Sequence, residues 1–293
     1  MKAFKKVALM GRHRHADIPS TLLSLIDYLN SIHIEVILET GTAELVPNQN
    51  LKIVPAHELA QHAELLIAVG GDGSLIRAAH LALKQQLPIF GINRGSLGFL
   101  TDIYPDEFHK IEKILQGFYL TEQRALLRTQ QLVNKEIVGT DIALNDVVLF
   151  AGEIAHMIEF EIYINQQFVC NQRADGLIVA SPTGSTAYAL SGGGPIIEPS
   201  LDAMLLVPMF PHTLSNRPLV IAADSVVDII ITAENETSPL VSCDGQSRLE
   251  LQRGSTIRVT RNPDYLQLIH PDDYNYFATL REKLGWQNRH RRT

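Results

Sequence analysis

The stretch LLIAVGGDG, residues 65–73, decides the fold of this chain. Its first five residues are apolar without alternation, which is typical of a strand buried on both faces of a parallel sheet. Gly70 and Gly71 then allow a sharp turn of the backbone. Apolar residues return at helical spacing over residues 75–83. The stretch therefore predicts a strand, a tight turn and a helix in succession, which is the repeating element of an α/β domain.

The same rhythm continues outward on both sides of this stretch. Strand-like runs and helical patterns alternate along the chain, each recognised from the spacing of its apolar residues. They cover residues 6–10, 19–32, 34–38, 88–92 and 105–115. This alternation predicts a doubly wound α/β N-terminal domain with right-handed crossovers.

The pattern changes after about residue 117. Short β-rich pieces separated by turn residues then follow one another, at residues 142–150, 156–164, 177–180, 226–232, 241–244 and 256–260. Helical character returns only over residues 273–286. We therefore expect an α/β domain over residues 1–120 and a β-rich C-terminal domain over residues 121–271. We expect the final segment, 272–293, to form a helix that returns to the first domain.

The composition indicates an ordinary globular protein of the cytoplasm. The chain has 293 residues, 45% of them hydrophobic, with a formal net charge of -7. That charge argues against broad electrostatic binding to nucleic acid or to an anionic membrane, although backbone amides can still hold a phosphate locally. The two cysteines, Cys170 and Cys243, lie far apart and outside any CxxC pattern, as expected of reduced thiols. No apolar stretch approaches the roughly 20 residues that span a bilayer.

The turn GGDG, residues 70–73, is the most informative short motif. Glycines bring backbone N–H groups close to a ligand, and the N-terminus of the following helix favours an anion. Asp72 would repel a phosphate there unless it had a separate task. Two tasks fit, namely holding a metal together with the phosphates or accepting a proton from an attacking hydroxyl. The alternative is that Asp72 only caps the helix that follows it.

Two further segments carry small and polar residues at predicted strand ends. GINRGSLGFL, residues 91–100, follows the next strand, and neighbouring strand ends share a crevice in a doubly wound sheet. Residues 175–195 are dense in hydroxyls and glycines, which suits ribose and diphosphate recognition. Ordinary turns are the alternative for both segments. No GxxxxGK[ST], GxGxxG or GxSxG pattern occurs, which excludes P-loop, dinucleotide-fingerprint and nucleophile-elbow sites. Asn145 and Asp146 are expected within the strand at 142–150.

These blocks together closely resemble the bacterial NAD kinases. The resemblance covers nearly the whole chain and keeps the order of the blocks. They are GGDG (70–73), GINRGSLGFLTD (91–102), LNDVVL (144–149), HMIEFEIYI (156–164), RADGLIVASPTGSTAYALSGGGP (173–195), VPMFPHTLSNRPLVI (207–221) and SCDGQ (242–246). GGDG alone is shared with diacylglycerol and sphingosine kinases, whereas the PTGSTAY block separates the NAD kinases from them.

The resemblance implies a reaction and a set of site residues. It implies NAD held between the two domains, transfer of the ATP γ-phosphate to the 2′-hydroxyl of the adenosine ribose, and a divalent cation, usually Mg²⁺. It also implies a homodimer or homotetramer, with contacts from the second domain. Asp72 is then the proton acceptor, and the residues that match NAD contacts are Asp72, Gly73, Asn145, Asp146, His156, Arg173, Asp175, Thr186, Ala187, Tyr188, Ala189, Leu190, Ser191 and Gln246. The metal ligands are not assigned.

Two other functions share part of this pattern. A lipid kinase with the same GGDG turn would need an amphipathic basic helix or a membrane-facing surface, which the sequence lacks. A dinucleotide-sensing module would keep the binding residues and lose the carboxylate, whereas Asp72 is present. We therefore expect a cytoplasmic kinase that acts on NAD and ATP without a nucleic-acid or membrane partner.

Overall fold

A computed structural model describes residues 2–12, 17–47, 49–95, 98–152, 156–213, 215–232, 235, 238–246, 249–251 and 254–286. The chain divides into two compact units. The first contains residues 1–123 and 266–293, and the second contains residues 124–265. Residues 287–293 of the segment that we expected to return to the first domain lie outside the described residues.

The first unit is built on a parallel sheet. Its elements are β1 (Lys6–Gly11), α1 (Ile18–Ser31), β2 (Glu35–Glu39), α2 (Thr40–Ala43), β3 (Lys52–Val54), α3 (Leu59–His62), β4 (Leu65–Gly70), α4 (Asp72–Gln85), β5 (Ile89–Asn93) and α5 (Phe108–Gln116). The C-terminal part of the long strand β17 (Thr256–Pro271) and helix α7 (Tyr276–Lys283) complete it. A 3-10 turn at Ala56–Glu58 precedes α3.

The strand order places the GGDG turn where ligands bind in such sheets. The order is β17-β5-β4-β1-β2-β3, and each of these neighbouring pairs is parallel. The order reverses between β1 and β4, so right-handed crossovers send α1 and α4 to opposite faces. The carboxyl ends of the strands beside such a reversal line the usual ligand crevice. Gly71 and Asp72 follow the carboxyl end of β4 directly.

Apolar faces of the helices close over this sheet. In α1 the buried residues Leu22, Leu25, Ile26 and Leu29 recur at helical spacing and join a core with the strands. Helix α5 ends at Gly117, whose φ of 100° permits the left-handed C-terminal turn. For α1, a helix of 14 residues, burial of this apolar face against the sheet stabilises the helix more than helix propensity does.

The second unit is β-rich. Its strands are β6 (Tyr119–Val133, beginning in the first unit), β7 (Glu136–Ala143), β8 (Asp146–Phe150), β9 (Ile158–Ile164), β10 (Gln167–Ala174), β11 (Gly176–Ala180), β12 (Ala203–Met209), β13 (Leu219–Ala222), β14 (Val227–Ile231), β15 (Leu240–Cys243), β16 (Leu249–Glu250) and the N-terminal part of β17. A 3-10 turn at Thr183–Thr186 leads into the short helix α6 (Tyr188–Ser191).

Two antiparallel layers enclose the core of this unit. One has the order β10-β9-β14-β17 and the other has the order β13-β12-β11-β8-β15-β16. Alternate residues of each strand point to the core, so Val147 and Leu149 of β8 pack with Phe160 of β9. The other face of β8 carries Val148, which packs with Ile178 and with Ala189 of α6.

The predicted fold class is confirmed, whereas one predicted strand is wrong. Residues 142–150 do not form a single strand, because β7 ends at Ala143 and β8 begins at Asp146. Asn145 therefore lies in the break rather than within a strand. The sequence patterns also missed the strands β3, β6, β10, β12, β13 and β16 and most of β7. No helix in the described part of the chain is both long and apolar enough to cross a bilayer.

Candidate active site

The carboxylate of Asp72 is held by the second glycine-rich segment. Its Oδ2 accepts a hydrogen bond from the backbone N–H of Phe99 at 2.8 Å. Its Oδ1 accepts from the N–H groups of Leu100 at 3.1 Å and Thr101 at 3.2 Å, and from the Thr101 hydroxyl at 3.1 Å. The two turns at the ends of β4 and β5 thus meet at one carboxylate, as the sequence predicted for adjacent strand ends.

Glycines make this close approach possible. A Cβ on Gly98 would lie 2.0 Å from Asp72 Oδ1 and 2.5 Å from Thr101 Oγ1. Gly70 has a φ of +148°, and a Cβ there would lie 2.3 Å from the Ser74 hydroxyl. Side chains at these two positions would push the carboxylate away or open the turn, so the glycines set the position of Asp72.

The capping alternative for Asp72 is wrong. The N-cap of α4 is Gly71, and no side chain caps this helix. Asp72 is the first residue of the helix, where the helix dipole stabilises its negative charge. Its carboxylate oxygens nevertheless accept hydrogen bonds from the backbone of residues 99–101. The residue is partly exposed, and among the described residues its Oδ2 accepts a single hydrogen bond.

The second unit contains a cavity of about 670 Å³ on the outer face of β8. Strand alternation puts Asp146, Val148 and Phe150 on that face. Ser242 of β15 lies directly across from Val148 in the strand pairing. The lining residues also include Asn145, His156, Asp175, Ala187, Tyr188, Met209 and Asp244. A cavity of this size and mixed lining suits a nucleoside-sized ligand.

Asp244 shapes the mouth of this cavity by holding the break between β7 and β8. Its carboxylate accepts hydrogen bonds from the N–H groups of Leu144 at 2.7 Å, Asn145 at 2.7 Å and Asp146 at 3.1 Å. Asp244 itself has a φ of +51°, a left-handed conformation that aspartate tolerates better than most residues. The strand therefore breaks where a carboxylate from a distant turn satisfies its amides.

The hydroxyl-rich turn of residues 181–186 packs against the same break. Ser181 N–H donates to the carbonyl of Asn145 at 2.9 Å, and the Ser181 hydroxyl contacts the carbonyl of Leu144. A Cβ on Gly184 would lie 2.0 Å from the Asn145 carbonyl oxygen. Two sequence blocks that lie far apart in the chain are thereby joined, and Tyr188 is placed at the cavity with nearly half of its surface exposed.

Asp146 has an unusual electrostatic environment. Burial, and then the neighbouring charge of Asp244, raise the pKa of Asp146 to about 7. Near neutral pH this carboxyl group therefore carries a proton for a large part of the time, and it can donate a hydrogen bond as well as accept one. Three carboxyl groups line the cavity, those of Asp146, Asp175 and Asp244. Such a lining favours hydroxyl and amino groups of a ligand over its phosphates.

The remaining predicted site residues lie at different places. Ala187 lines the cavity, whereas Ala189 is fully buried in the cluster that contains Val148. Ser191 lines a second cavity of about 440 Å³, which shares Tyr188 and Met209 with the first. Others lie outside both sets of lining residues, namely Gly73, Arg173, Thr186, Leu190 and Gln246. Arg173 is exposed on β10, with Nε 4.0 Å from Glu159 Oε1.

Sequence reasoning missed several lining residues. Val148, Phe150 and Ser242 follow from strand alternation once the pairing of β8 with β15 is known. The role of Asp244 had one available signal, its place in the SCDGQ block at 242–246. The described residues contain no group of three or more His, Cys, Asp or Glu side chains arranged to hold a metal ion.

Comparison with known proteins gives a consistent result. Residues 27–119 match the family model "ATP-NAD kinase N-terminal domain", and residues 144–271 match "ATP-NAD kinase C-terminal domain". The chain is 55% identical over 287 residues to "NAD kinase" of Coxiella burnetii (strain Dugway 5J108-111), covering 98% of this chain and 96% of the relative. It is 48% identical to "NAD kinase" of Teredinibacter turnerae, covering 98% of each chain.

Two solved structures have similar folds. The crystal structure of yeast NADH kinase complexed with NADH has a TM-score of 0.89 and 25% identity, covering all of this chain and 91% of that one. The crystal structure of an NAD kinase from Archaeoglobus fulgidus in complex with ATP has a TM-score of 0.70 and 25% identity, covering 94% of this chain and 99% of that one.

Proposed function

We propose a mechanism from the premise that the chain belongs to the ATP-NAD kinase family. The protein transfers the γ-phosphate of ATP to the 2′-hydroxyl of the adenosine ribose of NAD, giving NADP and ADP. The observation that carries the mechanism is the carboxylate of Asp72, which the backbone of residues 99–101 holds in place. Asp72 belongs to the GGDG turn at 70–73, and the backbone amides of such a turn at a helix N-terminus suit phosphate. Phosphoryl transfer depends mainly on positioning and electrostatic stabilisation, which such a site provides.

Asp72 is the group that receives the hydroxyl proton in this proposal. Among the described residues, Oδ1 accepts three hydrogen bonds and Oδ2 accepts one, so Oδ2 is the oxygen proposed to receive the proton. A ribose hydroxyl is a weak acid, and a loose transition state needs little deprotonation of the nucleophile early in the reaction. Asp72 therefore orients the 2′-hydroxyl first and accepts its proton late.

The cavity on β8 binds a nucleoside portion of NAD in this proposal. Its carboxyl groups and the Asn145 amide match ribose hydroxyls and ring nitrogens, and Tyr188 offers a flat face to a base. His156 and Arg173 are assigned to the phosphates, since both can carry positive charge. The other proposed NAD contacts are Gly73, Asp175, Thr186, Ala187, Ala189, Leu190, Ser191 and Gln246. For Ala189, which is fully buried, the role is to support the turn below Tyr188.

A divalent cation, Mg²⁺, accompanies ATP in this proposal. Mg²⁺ in phosphotransfer sites keeps several waters and is bound mainly by substrate phosphates with one or two carboxylates. The cation would neutralise charge on the phosphates.

We further propose a homo-oligomer, dimer or tetramer, in the cytoplasm. Edge strands of the second unit expose apolar side chains, such as Phe168 on β10 and Val220 on β13. Exposed apolar edges are typical of surfaces that pair with another copy. Both cysteines lie within the described residues and are thiols, which suits a reducing compartment.

One assay tests the catalytic role directly. The purified protein is incubated with NAD, ATP and Mg²⁺, and NADP is detected with glucose-6-phosphate dehydrogenase. We expect NADP from the wild type, and a loss of about 10²- to 10⁴-fold in turnover for Asp72→Asn with a modest change in NAD affinity. An equal loss of NAD affinity and turnover would assign Asp72 a structural role instead.

A further inference from the structure

His270 is a fully buried histidine of the first unit that none of the site residues above includes. It lies near the C-terminal end of β17, two residues beyond Leu268, which pairs with Ile89 of β5. Its Nδ1 is 2.7 Å from Asp102 Oδ2, and its Nε2 is 3.4 Å from Glu122 Oε2. One ring face stacks on Tyr274, with centroids 3.8 Å apart and an interplanar angle of 11°. The imidazole is therefore held at Nδ1 by Asp102 and on one face by Tyr274, with Glu122 within ion-pair distance of Nε2.

The two carboxylates select the charged form of this ring. A neutral imidazole would donate one N–H to Asp102 and present a lone pair to the carboxylate of Glu122, which is repulsive. Burial alone would lower the pKa of His270, but the hydrogen bonds and charges of Asp102 and Glu122 outweigh burial and raise it. Asp102 is largely buried and has the imidazolium as its charge partner, whereas Glu122 is partly exposed, so the Asp102 contact is the one that depends on the histidine.

Asp102 connects this cluster to the site. It lies between Thr101, whose N–H and hydroxyl both donate to Asp72, and Ile103, which forms a bridge with Ile92 of β5. The carbonyl of Ile103 accepts from Asn93 N–H at 2.7 Å. The contact with His270 is thus made one residue away from two of the four donors that hold the Asp72 carboxylate.

The segment 98–103 packs closely against β5, so a movement at Asp102 reaches the neighbouring residues. Thr101 is fully buried against β5 at Gly91, where a Cβ would lie 2.5 Å from Thr101 Cγ2. The segment crosses β5 closely, so a rotation at Asp102 is passed through one peptide unit to the Thr101 amide. A displacement of about 1 Å at reacting groups can cost on the order of 10²-fold in rate.

We propose that His270 is a positioning residue for phosphoryl transfer: by holding Asp102 it fixes the amides of residues 99–101 that orient Asp72. This inference rests on the proposed role of Asp72 as the proton acceptor. The histidine touches no substrate and acts only through the segment 98–103. Its effect is therefore on turnover rather than on affinity for NAD.

The test compares His270→Asn and Asp102→Asn with Lys113→Met. The first two each remove one member of the buried charge pair: Asp102→Asn with almost no change in volume, and His270→Asn with a smaller side chain. Lys113→Met removes an exposed ion pair with Asp272, close to His270 in sequence but without contact to residues 98–103. Hydrogen exchange by mass spectrometry is measured on peptides that cover 98–103 and, as an internal reference, 65–69. In His270→Asn and Asp102→Asn we expect exchange at 98–103 to become at least about tenfold faster, while exchange at 65–69 stays unchanged. In the control Lys113→Met we expect exchange at 98–103 to stay unchanged as well.

Kinetics then separate positioning from general destabilisation. We expect kcat to fall about 10- to 100-fold in both charge-pair variants, with the KM for NAD within about threefold of the wild type. In an Asp72→Asn background, His270→Asn should cause almost no further loss. An equal loss in both backgrounds, a change in KM alone, or unchanged exchange at 98–103 would overturn the proposal. If Asp72→Asn alone keeps full turnover, the proposed role of Asp72 fails, and the exchange result still reports whether His270 holds the segment.

If His270→Asn does not fold, Asp102→Asn answers the same question, because it keeps the imidazole in place and removes only one charge. Circular dichroism and thermal unfolding establish that each variant is folded before kinetics are compared. A folded Asp102→Asn with wild-type exchange and turnover would also overturn the proposal.

Discussion

Asp146 and Asp244 are joined by a reciprocal pair of backbone contacts. Asp244 N–H donates to the Asp146 carbonyl at 3.0 Å, and the Asp244 carboxylate accepts from Asp146 N–H at 3.1 Å. The same carboxylate also takes the amides of Leu144 and Asn145. A single residue after β15 thereby satisfies three consecutive amides at the break between β7 and β8. The cavity mouth is consequently defined by a side chain that comes from 98 residues further along the chain.

Replacing Asp244 with alanine should loosen this break and weaken NAD binding. Three amides would lose their acceptor, and each buried amide left unsatisfied costs about 1–3 kcal/mol, less where water enters. We expect a loss of about 2–4 kcal/mol in the free energy of unfolding, measured by urea titration, and at least a tenfold rise in the Kd for NAD. Asp224→Ala, on an exposed turn, is the matched control and should change neither quantity. Unchanged NAD binding in Asp244→Ala would show that the break between β7 and β8 does not contribute to NAD binding.

The raised pKa of Asp146 predicts a specific pH dependence of stability. The pKa is about 7 in the folded protein, compared with an ordinary value of 3.8. Between these values the folded state keeps a proton that the unfolded state releases, so the free energy of unfolding falls as pH rises. Asp146→Asn removes this effect. We therefore expect the stability of the variant, relative to wild type, to increase from pH 4 to about 7 and then stay constant.

Urea unfolding at several pH values, with Asp264→Asn as an exposed control, checks this expectation. Taking the difference between variant and wild type cancels the contribution of His270, which titrates in both proteins. A difference that stays constant from pH 4 to 7 would show that Asp146 is ionised in the folded state over this range.

Gly98→Ala should damage catalysis more than stability. The new Cβ would lie 2.0 Å from Asp72 Oδ1, so the carboxylate or the segment must move. We expect kcat to fall on the order of 10²-fold, since misplacement of a reacting group is costly. Gly139→Ala is the control, because its nearest contact would be an ordinary 3.6 Å. The coupled NADP assay and thermal unfolding of both variants measure the two effects, and a normal kcat in Gly98→Ala would argue against a fixed carboxylate.

The charge of Asp72 should also assist product release. NADP carries a new phosphate where the 2′-hydroxyl was, and this phosphate repels the carboxylate that accepted the proton. Asp72→Asn removes the repulsion, so we expect the Kd for NADP to fall at least about fivefold relative to the Kd for NAD. Isothermal titration calorimetry with both dinucleotides measures the ratio. An unchanged ratio would show that repulsion does not contribute to release.

The sequence was sufficient for the features that depend on short-range pattern. The apolar run before GGDG and the helical spacing after it correctly predicted β4 and α4. The meeting of the two glycine-rich turns followed from their positions at consecutive strand ends. Patterning was less informative for β6, where polar and apolar residues alternate irregularly over 15 residues.

Long-range contacts explain what the sequence did not show. The apolar run at 142–150 looks like one strand, because nothing local indicates that Asp244 will interrupt it. The burial of Ala189 beneath the hydroxyl-rich turn likewise depends on the face of another strand, β11. The cluster of His270, Asp102 and Glu122 joins three distant positions, and each of these residues alone is unremarkable in its local sequence.

Residues 99 and 100 hold Asp72 through their backbone N–H groups. Substitutions in this loop therefore differ in their effect from insertions and deletions. The N–H groups that donate to Asp72 are common to every residue except proline, so a substitution that keeps the packing of the buried Leu100 side chain leaves both donors in place. The number of residues between Gly98 and Thr101 cannot vary in the same way, because an insertion or deletion would rotate the amides off the carboxylate. The backbone donors thus constrain the length of this loop more strictly than the side chain at Phe99, which is partly exposed.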